Sequence, residues 1–232
     1  MQSFFSTERA KLKEMTFAEK RWYIWEYYKL HILFTVIGIA IVIGFINVWI
    51  INPPKREHLY IAWLAGSVHE DRLEELSQSL NVLVHEQDQH RYQVSVRSYV
   101  LSDNHQLNRA ISTRFHALLA VGDIHAVIAT SEGIQENADF GVIRPPVDLL
   151  ALIRESNPPL YDIVSQRLLS VTFVLDEEDV TSTMAISLSD SRLLEGMGFT
   201  TDGLYMGVIS NSLHINEIAQ ALAVIFGFEI ED

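Results

Sequence analysis

Nine histidines are the residues of this sequence that first suggest chemistry, and His85 and His90 are the closest pair among them. They sit in HEQDQHR with Glu86 and Asp88 between them. Zinc takes three or four ligands fixed by surrounding hydrogen bonds. A pair at the solvated end of a helix is explained more simply by the preference of that terminus for cations. Asp176-Glu177-Glu178-Asp179 gathers four carboxylates, but it lacks the spaced ligands and the glycine of a calcium loop, so a charged turn is expected there. No metal ligand is assigned. G-x-S-x-G, H-E-x-x-H, the phosphate loop and the dinucleotide fingerprint are all missing, so no catalytic residue and no cofactor is expected. The chain has no cysteine, which removes thiolate nucleophiles, thiolate metal sites and disulfides together.

A small ligand, if one binds, has a preferred address. In an open α/β sheet it sits beyond the carboxyl ends of the strands, where helix N-termini favour anions. The strands read below put Ser67 and Val68 after the first of them and Thr130 and Ser131 after the third. The same residue types are what ordinary N-caps look like.

Those positions need a framework, and the pattern from Pro53 onward supplies one. HLYIAWL (58–64) reads as a short aromatic strand, and Ser67 with Glu70 reads as a capping box opening a helix. Leu73, Leu76, Leu80, Leu83 and Val84 make its apolar stripe. YQVSVRSYVL (92–101) alternates as a half-buried strand, and Leu107 to Leu119 form a second amphipathic helix closed by Gly122. IHAVIA (124–129) is a strand covered on both faces. This β-α-β-α-β run calls for a parallel core with right-handed crossovers.

Further on, the proline pairs at 145–146 and 158–159 bracket a helix over 147–155. Strands over 170–175 and 183–188 form a hairpin across the acidic turn. A short helix over 191–197, a strand over 204–210 and a helix over 215–226 complete the chain. The expected fold class is α/β: a three-layer domain over 53–232 with a mostly parallel sheet and an antiparallel hairpin.

Ahead of that domain, residues 30–51 read LHILFTVIGIAIVIGFINVWII, 22 residues with no charge. At about 1.5 Å per residue they reach roughly 33 Å, enough for a hydrocarbon core of about 30 Å. The run is too long and starts too far from Met1 for a cleaved signal peptide, so an uncleaved signal-anchor is expected. Thr16 and Glu19 form a capping box for a juxtamembrane amphipathic helix within residues 1–29 that runs on into the membrane. Trp22, Tyr23, Trp25, Tyr27, Tyr28 and Lys29 suit the inner headgroup layer, and Trp49 suits the outer one. Ala40 and Gly44 are a small-xxx-small pair through which two such helices could form a homodimer.

Six lysines and arginines precede the apolar run, and only Lys55 and Arg56 follow it closely, which places the N-terminus in the cytoplasm and residues 53–232 outside it. Residues 1–52 hold those six cations against four glutamates, a net +2; with −13 overall, the remainder carries −15. An acidic domain of that kind is repelled by nucleic acid and by anionic lipid surfaces.

Three stretches of the chain resemble a known group. AEKRWYIWEYYKLHIL, GDIHAVIATSE, and AISLSDSRLLEGMGF followed by LYMGVISNSLHINEIAQAL are similar to segments of uncharacterised single-pass membrane proteins of Gram-positive bacteria. The resemblance implies that the outer domain is similar to one lobe of the periplasmic solute-binding fold. Where that group carries an Asp in the third strand, this chain has His125, and the roughly 40 residues between Ala129 and Ser170 leave no room for a second lobe. The resulting expectation is a non-enzymatic extracytoplasmic domain, tethered to the lipid bilayer, that acts by contact with another envelope protein. The resemblance implies the alternative, a small-solute receptor.

Overall fold

The computed structural model describes residues 16–51, 53–100, 105–175 and 178–229, without the side chains of 20, 23, 24, 27, 105–107, 174 and 175. The chain divides between Pro54 and Lys55 into two units.

The described residues of the first unit form one helix, α1 (Phe17–Ile46), whose end widens into a π turn over Asn47–Ile51. The amide and the hydroxyl of Thr16 both donate to Glu19 Oε2 at 2.8 Å, and the expected capping box is present at this end of the helix. These bonds hold the Glu19 carboxyl below its ordinary range. Tyr28–Ile51, 24 residues of mean hydropathy 2.5, is long and apolar enough to cross a membrane, and it starts two residues before the expected segment. Within it Thr35 returns its hydroxyl proton to His31 O at 2.8 Å, which removes a polar group from the helix surface.

The second unit is the α/β domain. In chain order its elements are β1 (Arg56–Trp63), α2 (Glu70–Leu80), β2 (Tyr92–Ser98), α3 (His105–Val121), β3 (Ala126–Ala129), α4 (Ser131–Asp139), β4 (Ile143–Arg144), α5 (Val147–Ser156), α6 (Pro158–Val164), β5 (Leu168–Leu175), β6 (Glu178–Ser187), α7 (Arg192–Gly196), β7 (Tyr205–Ile209) and α8 (Ile215–Phe226). The sheet runs β2-β1-β3-β7-β6-β5, with β4 also paired to β7. Its β2-β1-β3 part is parallel and the remaining pairings are antiparallel. Strands β1, β2, β3, β4 and β6 therefore point one way, while β5 and β7 oppose them.

Alternation along β1 divides the core in two. Leu59, Ile61 and Trp63 face one layer, where α2, α5, α6, α7 and α8 bury Leu76, Ile153, Leu160, Leu194 and Leu222. Tyr60 and Ala62 face the other, where α3 and α4 bring Phe115 and Ile134. That is the three-layer arrangement expected. The sheet is hydrophobic on both faces because helices cover both.

Several local readings change. The capping box of Ser67 and Glu70 does not form: α2 begins at Glu70 behind His69, which makes no side-chain cap bond. Pro158 and Pro159, expected only to bound the preceding helix, open one of their own, since Asn157 Oδ1 accepts the Leu160 amide at 3.0 Å and a proline in the first turn loses no hydrogen bond. The hairpin is longer than expected: Glu178 and Asp179 pair with Leu175 and Val174, and the expected acidic turn residues Asp176 and Glu177 lie outside the described residues. Gly122 does close α3, at φ +78°.

Candidate functional site

The four residues expected at the strand ends do not meet in one site. Ser67 is exposed, and Val68 is half-buried against the core beneath α2. Thr130 is the N-cap of α4; its hydroxyl oxygen accepts the Gly133 amide at 3.3 Å. Ser131 borders a different groove, of about 630 Å³, between α4 and β5. Capping accounts for Thr130, and nothing in the geometry aims the four at a common ligand.

The histidine pair also separates from any ligand set. His85 and His90 are exposed, and among the described residues no three His, Asp or Glu side chains gather closely enough to hold a metal.

A different histidine pair comes together instead. His125, 4% exposed, directly precedes β3, and its ring stacks on that of His214 with centroids 3.9 Å apart and planes at 27°. The Tyr60 amide donates to His125 Nδ1 at 3.0 Å, while the His125 amide donates to Tyr60 O at 2.9 Å. The imidazole thus stands in for a carbonyl of the β1-β3 ladder. Burial is the main reason that the His125 pKa drops to about 4; the neighbouring charge of His214 adds to it, Glu217 opposes it and His58 lowers it slightly. At neutral pH the ring is neutral, with Nδ1 accepting and the proton on Nε2. Glu217 Oε1 stands 3.3 Å from His214 Nδ1, but the approach is not aligned as a hydrogen bond, and that buried nitrogen has no other partner. This cluster is suited to holding β3 against α8. With Nδ1 occupied, His125 is not placed as a general base.

Two further clefts lie near β2. One, about 920 Å³, opens between the start of β2 and α8, and His58, Tyr92, Glu217 and Phe228 line it. The other, about 310 Å³, follows the outer edge of β2 between α2 and α3. Behind this second cleft the hydroxyls of Tyr60 and Tyr99 are hydrogen-bonded to each other. Burial first and that bond second push the Tyr60 hydroxyl well above the ordinary phenol range, so it remains protonated.

No protein family, no curated protein and no solved structure matches the chain.

On α1, Trp22, Trp25 and Trp49 are 67%, 66% and 65% exposed. Lys29 is exposed and Tyr28 half-buried, its ring set edge-on to His31 at 6.0 Å. The side chains of Tyr23 and Tyr27 lie outside the described residues. Ala40 and Gly44 are exposed, and a Cβ added at Gly44 would meet nothing within 4 Å.

Proposed function

We propose that this protein is anchored in the cell membrane by one pass of α1, N-terminus in the cytoplasm, and that its acidic α/β domain works outside the cytoplasm by contact with another envelope protein. The observation that carries the reading is the apolar span itself: no residue of Tyr28–Ile51 is buried. Sixteen large hydrophobic side chains from Leu30 to Ile51 stand exposed there. At about 1.5–3 kcal/mol each, leaving them in water forfeits on the order of 30 kcal/mol, and a bilayer removes that penalty. Exposed tryptophans toward both ends of the helix suit the two headgroup layers. Lysines and arginines concentrated before the span support the cytoplasmic N-terminus.

Contact rather than catalysis is the job that suits the domain. The strongly shifted histidine, His125, is committed to the sheet, and the surface carries isolated apolar side chains such as Leu213, 92% exposed, and Phe140, 76% exposed. Each is a natural anchor for a partner. Photocrosslinkers placed at 140 and 213 of the full-length protein in intact cells test this. A discrete heavier species that contains a second envelope protein is expected. A chain that stays uncrosslinked at both positions would contradict it.

A further inference from the structure

Strand β2 is an edge of the sheet, and an open edge invites pairing with another strand. The Tyr99 amide donates inward to Trp63 O at 2.9 Å, so two-residue alternation turns the amides of Val94, Val96 and Ser98 outward. Asn81 Oδ1 takes the first at 2.7 Å, and Ser77 Oγ takes the second at 2.8 Å. No described side chain takes the third. A docking strand would need the amides that α2 has already occupied, so this edge is closed to a peptide at Val94 and Val96 and, among the described residues, open near Ser98.

That opening lies in the 310 Å³ cleft, which also holds Arg97 of β2 and Arg114 of α3. Both are exposed, and among the described residues neither guanidinium enters an ion pair or a hydrogen bond. Tyr99 lines the same cleft, and its hydroxyl is hydrogen-bonded to that of Tyr60. That pair carries two hydroxyl protons and shares one hydrogen bond, which leaves one proton to donate. Guanidiniums, a phenol and a main-chain amide together are the donor set that a carboxylate accepts from. Across the same cleft, Glu70 and Glu74 of α2 offer acceptors of the opposite charge.

We propose that this cleft binds a small zwitterionic solute of the free amino acid class, its carboxylate toward Arg97 and Arg114 and its ammonium toward Glu70 and Glu74. The volume is about ten water volumes, at the lower end of what ligand sites occupy and right for a molecule of that size. The site belongs to residues 55–232, so it stands whether or not α1 lies in lipid.

Titration calorimetry of the full-length protein in detergent, with each of the twenty L-amino acids, tests it. Acetate, ethylamine and inorganic phosphate serve as single-charge probes. Saturable binding of at least one amino acid is expected, weakened at least tenfold both in Arg97→Gln/Arg114→Gln and in Glu70→Gln/Glu74→Gln, with unliganded melting unchanged. The two double variants alter opposite sides of the cleft, so a folding failure in one leaves the other to decide. Binding of none of the twenty, affinity unmoved by both variants, or equal affinity for acetate or phosphate would overturn the assignment.

Discussion

Acid should loosen the α/β domain through one side chain. An unfolded chain takes up a proton on histidine near its ordinary pKa of about 6.5, whereas folded His125 takes one only near pH 4. Across that window the unfolded state binds more protons, so stability is full above pH 6.5 and falls as the pH drops. The whole shift corresponds to about 3 kcal/mol, of which about 2 kcal/mol is lost between pH 7 and pH 5, before most carboxylates titrate. The physical event is loss of an acceptor: protonated His125 cannot receive the Tyr60 amide, and its charge would lie against His214. Urea unfolding of the full-length protein in a nonionic detergent, followed by near-UV circular dichroism at pH 7 and pH 5, measures it. His125→Asn keeps an acceptor for Tyr60 but does not titrate, so the loss between the two pH values should shrink by at least half, whatever the variant's stability at pH 7. A wild-type protein equally stable at both pH values, or a variant with the wild-type loss, would refute the reasoning.

Other positions give sharper local tests. A Cβ at Gly207 of β7 would stand 3.3 Å from Ile134, Ile143 and Val127 side chains, so Gly207→Val should lower the unfolding free energy by about 1–3 kcal/mol in the same urea experiment. Ser77→Ala strands the outward Val96 amide and should lower it by a similar 1–3 kcal/mol or so, with more proteolysis near β2. Thr130→Ala removes only a helix cap and should lower it by about 1 kcal/mol while leaving any amino acid affinity untouched. Ile41→Arg puts a charge near the middle of the apolar span at a cost of about 3 kcal/mol, so the fraction recovered with membranes after alkaline washing should fall.

Legibility in the sequence followed the range of the interaction. Helix α8 was readable to the residue because Ile218, Leu222, Ile225 and Phe226 repeat on one face and Gly227 stops it at φ +83°. The alternation of β-α units likewise indicated a parallel core with helices on both faces. What escaped was set by partners distant in the chain. β4 is two residues long, and only its pairing with β7 makes it a strand. Pro158 and Pro159 read as a boundary because the capping role of Asn157 is invisible without geometry. His125 offered one hint, a histidine inside an otherwise apolar strand, but its stacking on His214 belongs to the tertiary fold. Ser67 misled because a capping box is a local pattern, and the packing of Val68 against the core is compatible with a later start for α2.

The absence of native cysteine makes the topology directly measurable. Leu213→Cys, at a side chain 92% exposed, would be treated on intact cells with a maleimide that cannot cross membranes. The account predicts labelling without permeabilisation, in protein that alkaline washing leaves in the membrane pellet. Labelling only after lysis would put the acidic domain inside the cell, and recovery in the wash would remove the anchor.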